Sequence, residues 1–379
     1  MTTSYLAQVN NLQSPIVLQI SSSKYNITSK KTGFILDNDV FTMGHSVIFD
    51  KHNIKDKHNK TNVVYNIEDA FFINTQEDDI VQIFPDGHIN ILWEKRLTPY
   101  DVTLFITNQC NAMCIMCPQP PEKDQYSLLD TNALLLEYLK KQPIKKIGIT
   151  GGEPTAKMAD LTALLKQAHQ NFPTSHVDLL TNGKQLSNFK RAKTLALSHP
   201  NITFCISFPS DNINDFNEIV GVNIFSHVLR ALQNLAILRQ EIELRVVVMK
   251  QNYNRLLQIS EFIFRNFPFV THIAFMGMEV IGFALDNIDD ISVQYSEYNQ
   301  PLIDAVRYLS HRDMNVSIYN LPYCLVDRRC WRFLKNSISL WKQKYHKKCN
   351  TCLKQNHCPG MFATSKINID NPMPIIDYE

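Results

Sequence analysis

The tightest constraint on this 379-residue chain is the run Asn108-Gln-Cys-Asn-Ala-Met-Cys-Ile-Met-Cys-Pro118, which sets Cys110, Cys114 and Cys117 at a C-x3-C-x2-C spacing. Three thiolates in so short a loop can hold three corners of a cubane iron–sulfur cluster and leave the fourth iron open to a small ligand. Soft thiolates also suit zinc, but a structural zinc site takes four ligands, and no fourth stands close by in the sequence. The competing reading is three structural or incidental cysteines. The loop follows Val102-Thr-Leu-Phe-Ile-Thr107, whose β-branched and aromatic residues read as a short buried strand. The fold must therefore open a cysteine loop at the carboxyl end of a strand.

A second strand signal, Lys146-Ile-Gly-Ile-Thr150, runs into Gly151, Gly152, Glu153 and Pro154. Paired glycines let a backbone pass close to a ligand or take positive φ. Their carbonyl and amide groups could meet the amine and carboxylate of an amino-acid-like ligand, with Glu153 as a charged partner. Alone, Gly-Gly before a helix is often only a turn; after a cysteine loop it carries more.

The C-x3-C-x2-C loop and the GGEP run together resemble the radical S-adenosylmethionine (SAM) superfamily. The resemblance implies a [4Fe–4S] cluster held by Cys110, Cys114 and Cys117, with SAM chelating its open iron. It implies that reduction cleaves SAM to methionine and a 5′-deoxyadenosyl radical, which abstracts a hydrogen atom. That chemistry belongs to the cofactor; the protein binds, orients and shields.

Net charge is +2 and the sequence is 44% hydrophobic and 20% charged, ordinary for a soluble globular chain. The charge balance makes no case for nucleic acid or a membrane surface as partner. No apolar run is long enough to span a bilayer, and no signal-peptide pattern stands at the N-terminus. Nine cysteines without one read as metal or redox ligands in a reducing compartment, so a cytoplasmic location is expected.

Three regions are expected. Residues 1–98 carry short strand-like runs (Ile16–Ile20, Gly33–Leu36, Val63–Tyr65, Ala70–Ile73) and a hairpin of Ile80–Phe84 and His88–Trp93 around Pro85-Asp-Gly87. They read as a β-rich domain, with Lys51–Lys60 as a basic patch or a solvated loop. Across residues 99–285 six strands (102–107, 145–150, 176–181, 202–207, 243–249, 270–276) alternate with helices (128–141, 158–171, 186–198, 224–240, 253–265), which implies an α/β fold with a parallel sheet. The superfamily resemblance supplies its form, a partial (β/α)6 barrel, and places the chemistry at the strand carboxyl ends. Residues 286–379 form a Cys-rich extension, with a helix at 298–310 and a short strand at 315–319.

Strand ends supply further candidates for SAM. Thr181 and Asn182 end the third strand, against the reading of an Asn-Gly turn. Ser207 ends the fourth, with Ser210 and Asp211 as hydrogen-bond partners or helix caps. Arg245 needs a partner on the apolar fifth strand; the superfamily resemblance implies a SAM-carboxylate contact nearby, and a structural salt bridge is the alternative. Gly277 could admit adenine at the sixth, and Glu279 could face the cavity, or both could be packing and loop. Cys205 reads as a small core residue.

The extension holds Cys349-x2-Cys352-x5-Cys358, with Cys324 chosen over Cys330 as a fourth ligand because Cys330 lies in the helix-like Asp327–Phe333. His346 and His357 are outside candidates. Four thiolates fit zinc or a second [4Fe–4S] cluster. Beside a radical SAM core the run resembles the auxiliary-cluster extensions of peptide-modifying members, which favours iron–sulfur.

More narrowly, Asp101–Asn111, Met116–Pro121 and the cysteine-bearing tail resemble the HxsC-type maturase of the His-Xaa-Ser system. That resemblance implies a His-Xaa-Ser repeat protein as substrate, a second radical SAM protein as partner, post-translational modification as the role, and a flavodoxin- or ferredoxin-type electron donor. The alternatives are a radical SAM enzyme for a small molecule or RNA base, and a non-catalytic iron–sulfur electron carrier. A carrier would need no GGEP site and would ligate every iron.

Overall fold

The computed structural model describes residues 4–10, 12–21, 32–35, 47–50, 63–65, 67, 71, 74–369 and 371–376. The chain divides into two compact units: residues 1–104, 125–147 and 166–175 form one, and residues 105–124, 148–165 and 176–379 the other.

The first unit is built on an eight-stranded sheet: β1 (Ser4–Leu6), β2 (Gln8–Asn10), β3 (Ile16–Ser21), β4 (Thr32–Ile35), β5 (Val47–Asp50), β6 (Val63–Tyr65), β7 (Ile80–Ile83) and β8 (His88–Trp93), in the order β1-β8-β7-β3-β4-β5-β6-β2. The expected hairpin is β7–β8, antiparallel with Ile83 opposite Ile89. Gly87 takes a φ of 93° at its turn, where a Cβ would meet the Ala7 carbonyl. Alternating apolar residues bury Leu18, Ile20, Val81, Ile83, Ile89 and Ile91 together with Tyr5 and Phe71. Of the run Ala70–Ile73 only Phe71 is described, and it is helical rather than extended. Its ring packs edge-on against Tyr5, a tertiary contact that a local strand signal does not register. Leu36 and Lys51–Lys60 lie outside the described residues. Helix α1 (Leu128–Tyr138) is capped by Ser127 and tied to the sheet through Gln82 Nε2 to Thr131 and Tyr138 OH to the Val17 carbonyl.

The second sheet runs in strict chain order: β9 (Asp101–Phe105), β10 (Lys146–Thr150), β11 (His176–Thr181), β12 (Ile202–Ser207), β13 (Glu241–Val247), β14 (His272–Met276), β15 (Val316–Tyr319) and β16 (Leu334–Lys335). Neighbours from β11 to β16 pair in parallel. Helices α2 (Met158–Asn171), α3 (Phe189–Ala196), α4 (Ile213–Val220), α5 (Phe225–Ile237) and α6 (Leu256–Asn266) alternate with the strands, which makes the sheet a partial α/β barrel. The six expected strands are present, and the sheet continues through β15 and β16 to eight. The 315–319 segment thus extends the barrel sheet instead of standing in a separate extension. Helix α3 starts three residues later than its pattern suggests, because Asn188 caps it by accepting from Arg191 N–H. The 327–333 stretch is 3-10, not α.

Each barrel strand has two characters. Ile242, Leu244 and Val246 are fully buried on one face of β13, while Glu243, Arg245 and Val247 point the other way. Behind β12, Phe208 is fully buried among Phe216, Phe225, Phe262 and Phe267 at ring distances of 5.7, 6.4, 6.1 and 6.2 Å. Each such ring contributes roughly 1.5–3 kcal/mol of burial. The cluster anchors α4, which holds the cysteine loop. Among the described residues no helix is long and apolar enough to cross a membrane.

Candidate active site

The cysteine loop leaves β9 at Thr107 and is fixed from three sides. Met113 N–H donates to the Val220 carbonyl and Ile115 N–H to that of Ile219, both 3.0 Å, at the end of α4. Asn287 Nδ2 donates to the Ile115 carbonyl. At the neck, Asp124 accepts from Thr107 Oγ1 and Asn108 N–H at 2.6 Å each, with Lys157 3.6 Å away. Its carboxyl is held low: burial works against this, but the Thr107 and Asn108 donors and the Lys157 ammonium outweigh it. Asp124 carries no sequence signal beyond being acidic after a loop, and the sequence reading missed it.

Cys110, Cys114 and Cys117 are free thiols, each partly buried. Burial, then the neighbouring Cys117 and Cys110, push the Cys114 thiol up to about 12. Burial likewise raises Cys110 and Cys117. Three partly desolvated thiols that repel one another as thiolates form an environment that a cationic iron centre relieves. The donor set therefore fits a cluster.

The GGEP run packs against this loop. Gly152 N–H donates to the Thr107 carbonyl at 2.7 Å and Glu153 N–H to that of Gln109 at 2.8 Å. A Cβ on Gly151 would stand 2.6 Å from the Thr107 oxygen, and one on Gly152 2.3 Å from the Gln109 oxygen. The glycines thus admit the cysteine-loop backbone. Glu153 does not present a free carboxylate to a ligand. It is 1% exposed and accepts from Thr155 N–H, Thr155 Oγ1, Thr181 Oγ1 and Asn182 N–H. Burial raises its carboxyl despite those donors. Pro154 is buried at the start of a 3-10 turn that Glu153 caps.

Thr181 is spent on Glu153 and Gly183 N–H. Asn182 caps Lys184 N–H and donates to Asn111 Oδ1 at 2.7 Å, joining the third strand to the cysteine loop beside Cys110. The buried Asn111 Nδ2 has no partner. Ser207 stands level with Arg245 across β12 and β13. Ser210 accepts from Asn212 N–H, Asp211 pairs with Arg255, and the cap of α4 is Asn212 rather than either of them. Gly277 packs against β15, since a Cβ there would lie 2.8 Å from the Asn320 oxygen. Glu279 pairs with Lys342 at 3.0 Å and Thr364 instead of facing a cavity.

Arg245 Nε lies 2.5 Å from Glu243 Oε1. Glu243 also meets His272 Nδ1 at 2.6 Å and Tyr319 OH at 3.3 Å, and His272 Nε2 meets Ser317 Oγ at 2.9 Å. Burial opposes ionisation of Glu243, but His272 and Arg245 outweigh it and hold its carboxyl at about 2. This network on the barrel's polar face was legible only at Arg245. The alternation of Glu243 and Arg245 along an apolar strand is the signal that could have exposed the rest.

In the tail, Cys324, Cys349, Cys352 and Cys358 line one small cavity with Tyr323, Tyr345 and Met373. Gly360 N–H points at Cys358 Sγ and Ile375 N–H at Cys352 Sγ, both 3.4 Å. Cys330 is fully buried and does not line that cavity. Neither His346 nor His357 lines it. Among the described residues no three His, Cys, Asp or Glu side chains converge as on a single metal ion.

Residues 104–263, which carry the strand-end cysteine triad and the glycine run packed against it, match the family model of the Radical SAM superfamily. GTP 3′,8-cyclase of Pasteurella multocida is 28% identical over 161 residues, 40% of this chain and 45% of that protein. GTP 3′,8-cyclase of Desulforamulus reducens is 27% identical over 194 residues, 47% and 55% of the two. The chain spans about half the length of these curated relatives. Streptococcus suis SuiB, in a structure bound to the precursor peptide SuiA, superposes with a TM-score of 0.50 at 18% identity over 58% of this chain and 48% of that one. The likeness is one of fold.

Proposed function

We propose that this chain is a radical SAM enzyme that modifies a peptide or protein substrate and carries an auxiliary [4Fe–4S] cluster in its tail. The observation that carries the reading is the cavity shared by Cys324, Cys349, Cys352 and Cys358, in the same compact unit as the radical SAM loop. Four cysteines around one cavity suit a [4Fe–4S] cluster or zinc, and the resemblance of the run to auxiliary-cluster extensions favours iron–sulfur. When bound at the Cys110 triad, the cluster and SAM supply a strongly oxidising carbon radical. The chain's own part is to bind and shield: Asp124 closes the loop, Glu153 ties the glycine run to the third strand, and Asn111 and Asn182 brace the loop from within. The glycine run, Asn182, Ser207, Arg245 and Gly277 remain the proposed surroundings of SAM, with Glu153 and Thr181 acting by position. The resemblance to the HxsC-type maturase narrows the substrate to a His-Xaa-Ser repeat protein.

A second reading, a small-molecule substrate, draws on the names of the curated relatives. The two separate in one assay: 5′-deoxyadenosine release from SAM, with GTP or with a His-Xaa-Ser repeat peptide added, followed by mass analysis of the additive. A mass change in the peptide supports the proposal; a change in GTP alone overturns it.

The tail is tested by metal analysis of a variant with Cys110, Cys114 and Cys117 replaced by alanine. About four irons per chain are expected to remain, and Cys324→Ala is expected to lower that number while Cys330→Ala leaves it unchanged. About one zinc and no iron would make the site structural.

A further inference from the structure

Charge is unevenly distributed along this chain. From Arg328 to Ile369 there are ten lysines and arginines and no aspartate or glutamate, although the whole chain carries only +2. Arg329 and Lys342 are neutralised by Asp327 and Glu279. Arg328, Arg332, Lys335, Lys347 and Lys348 are exposed and make no ion pair among the described residues.

Part of this charge stands beside the cysteine cavity, which Lys344 lines. Lys347 and Lys348 open the turn Lys347–Thr351 that carries Cys349. Lys354 follows Cys352 by two residues and places its ammonium 5.2 Å from the Trp331 ring centre, a ring that Arg328 also approaches at 5.5 Å. The same segments carry exposed apolar side chains: Leu353, next to Cys352, is 46% and Met373 63% exposed. Met373 lines the cavity itself, and Leu353 N–H donates to the Ile375 carbonyl, which holds the two segments together. An apolar centre inside a cationic rim is the anatomy of a protein interface, and unpaired charges of one sign steer a partner of the other.

We infer that this face docks a small acidic electron-transfer protein, which exchanges one electron with the auxiliary cluster. The inference rests on the cluster reading given above. In the forward step a reduced flavodoxin or ferredoxin loses one electron and the cluster gains it, with no bond made or broken. A redox protein is favoured over the substrate by position: Leu353 and Met373 adjoin the cluster ligands, so a partner seated on them comes within one side chain of the sulfurs. Redox encounters are small and transient, which suits so limited an apolar centre.

The test uses the full chain with Cys110, Cys114 and Cys117 replaced by alanine, so that only the tail cluster reports. Its reduction by reduced flavodoxin is followed by the bleaching of its visible absorbance, beside reduction by dithionite. The docking face predicts a flavodoxin rate that falls steeply with ionic strength and drops by about tenfold or more in a Lys347→Glu/Lys348→Glu variant, with the dithionite rate unchanged. A flavodoxin rate insensitive to salt and to both reversals would overturn the docking face while leaving the cluster standing. Absence of iron from the tail would overturn the cluster reading and the docking face with it. If, with the triad restored, the reversals instead slow dithionite-driven turnover of a His-Xaa-Ser repeat peptide, the face binds substrate and the redox-partner inference fails.

Discussion

Replacing Cys110, Cys114 and Cys117 together with alanine is expected to reduce 5′-deoxyadenosine release from SAM to the level of a protein-free control. The three thiols are soft sulfur donors on the loop that leaves β9. The far-UV circular dichroism is expected to be unchanged, because the loop is held by groups other than its sulfurs. Met113 and Ile115 bond to the end of α4 through backbone N–H, and Asp124 closes the neck from the side. Removing three partly buried thiols whose ionisation burial pushes upward costs the apo-protein little. The loss should therefore fall on activity and iron, not on folding. A triple variant that still cleaves SAM would place the chemistry elsewhere in the chain.

Gly152→Val is expected to be nearly as severe, for a reason the sequence could not supply. Read from the sequence, a side chain there would occupy space meant for the ligand. In the fold, the added Cβ would meet Gln109 O at 2.3 Å, Gln109 C at 2.7 Å and Asn108 O at 2.8 Å, all backbone atoms one or two residues before Cys110. Backbone cannot yield as a flexible side chain does, so the cysteine loop itself must move. A displacement on the order of 1 Å in a reacting constellation costs about a hundredfold in rate. The variant is expected to lose at least that in SAM cleavage and to lose iron from the triad while the tail keeps its own. Full iron with weakened SAM binding would restore the ligand-clash explanation.

These two cases mark what was legible. The triad and the glycine run stand out in the sequence because particular residue types recur at short spacing. The barrel strands were readable because apolar β-branched runs alternate with helical periods. What failed was the assignment of tasks to polar residues at strand ends. Glu153, Thr181, Asn182 and Glu279 all look available in sequence, yet the fold spends them on one another, on Asn111 and on Lys342. Buried polar groups must find partners, and in a barrel those partners come from the next strand, many residues away. The same applies to Glu243, His272, Ser317 and Tyr319, which only the register of three parallel strands brings together. In the tail, Cys324 lies far from Cys349 in sequence, yet the two line one cavity with Cys352 and Cys358.

The measurement that bears most directly on the central claim is product analysis of the reconstituted full chain, kept anaerobic and supplied with SAM and a one-electron reductant. Methionine and 5′-deoxyadenosine are expected in equal amounts, formed only when both the reductant and the [4Fe–4S] cluster are present. S-adenosylhomocysteine as the product, or SAM recovered intact from cluster-replete and reduced protein, would contradict that claim.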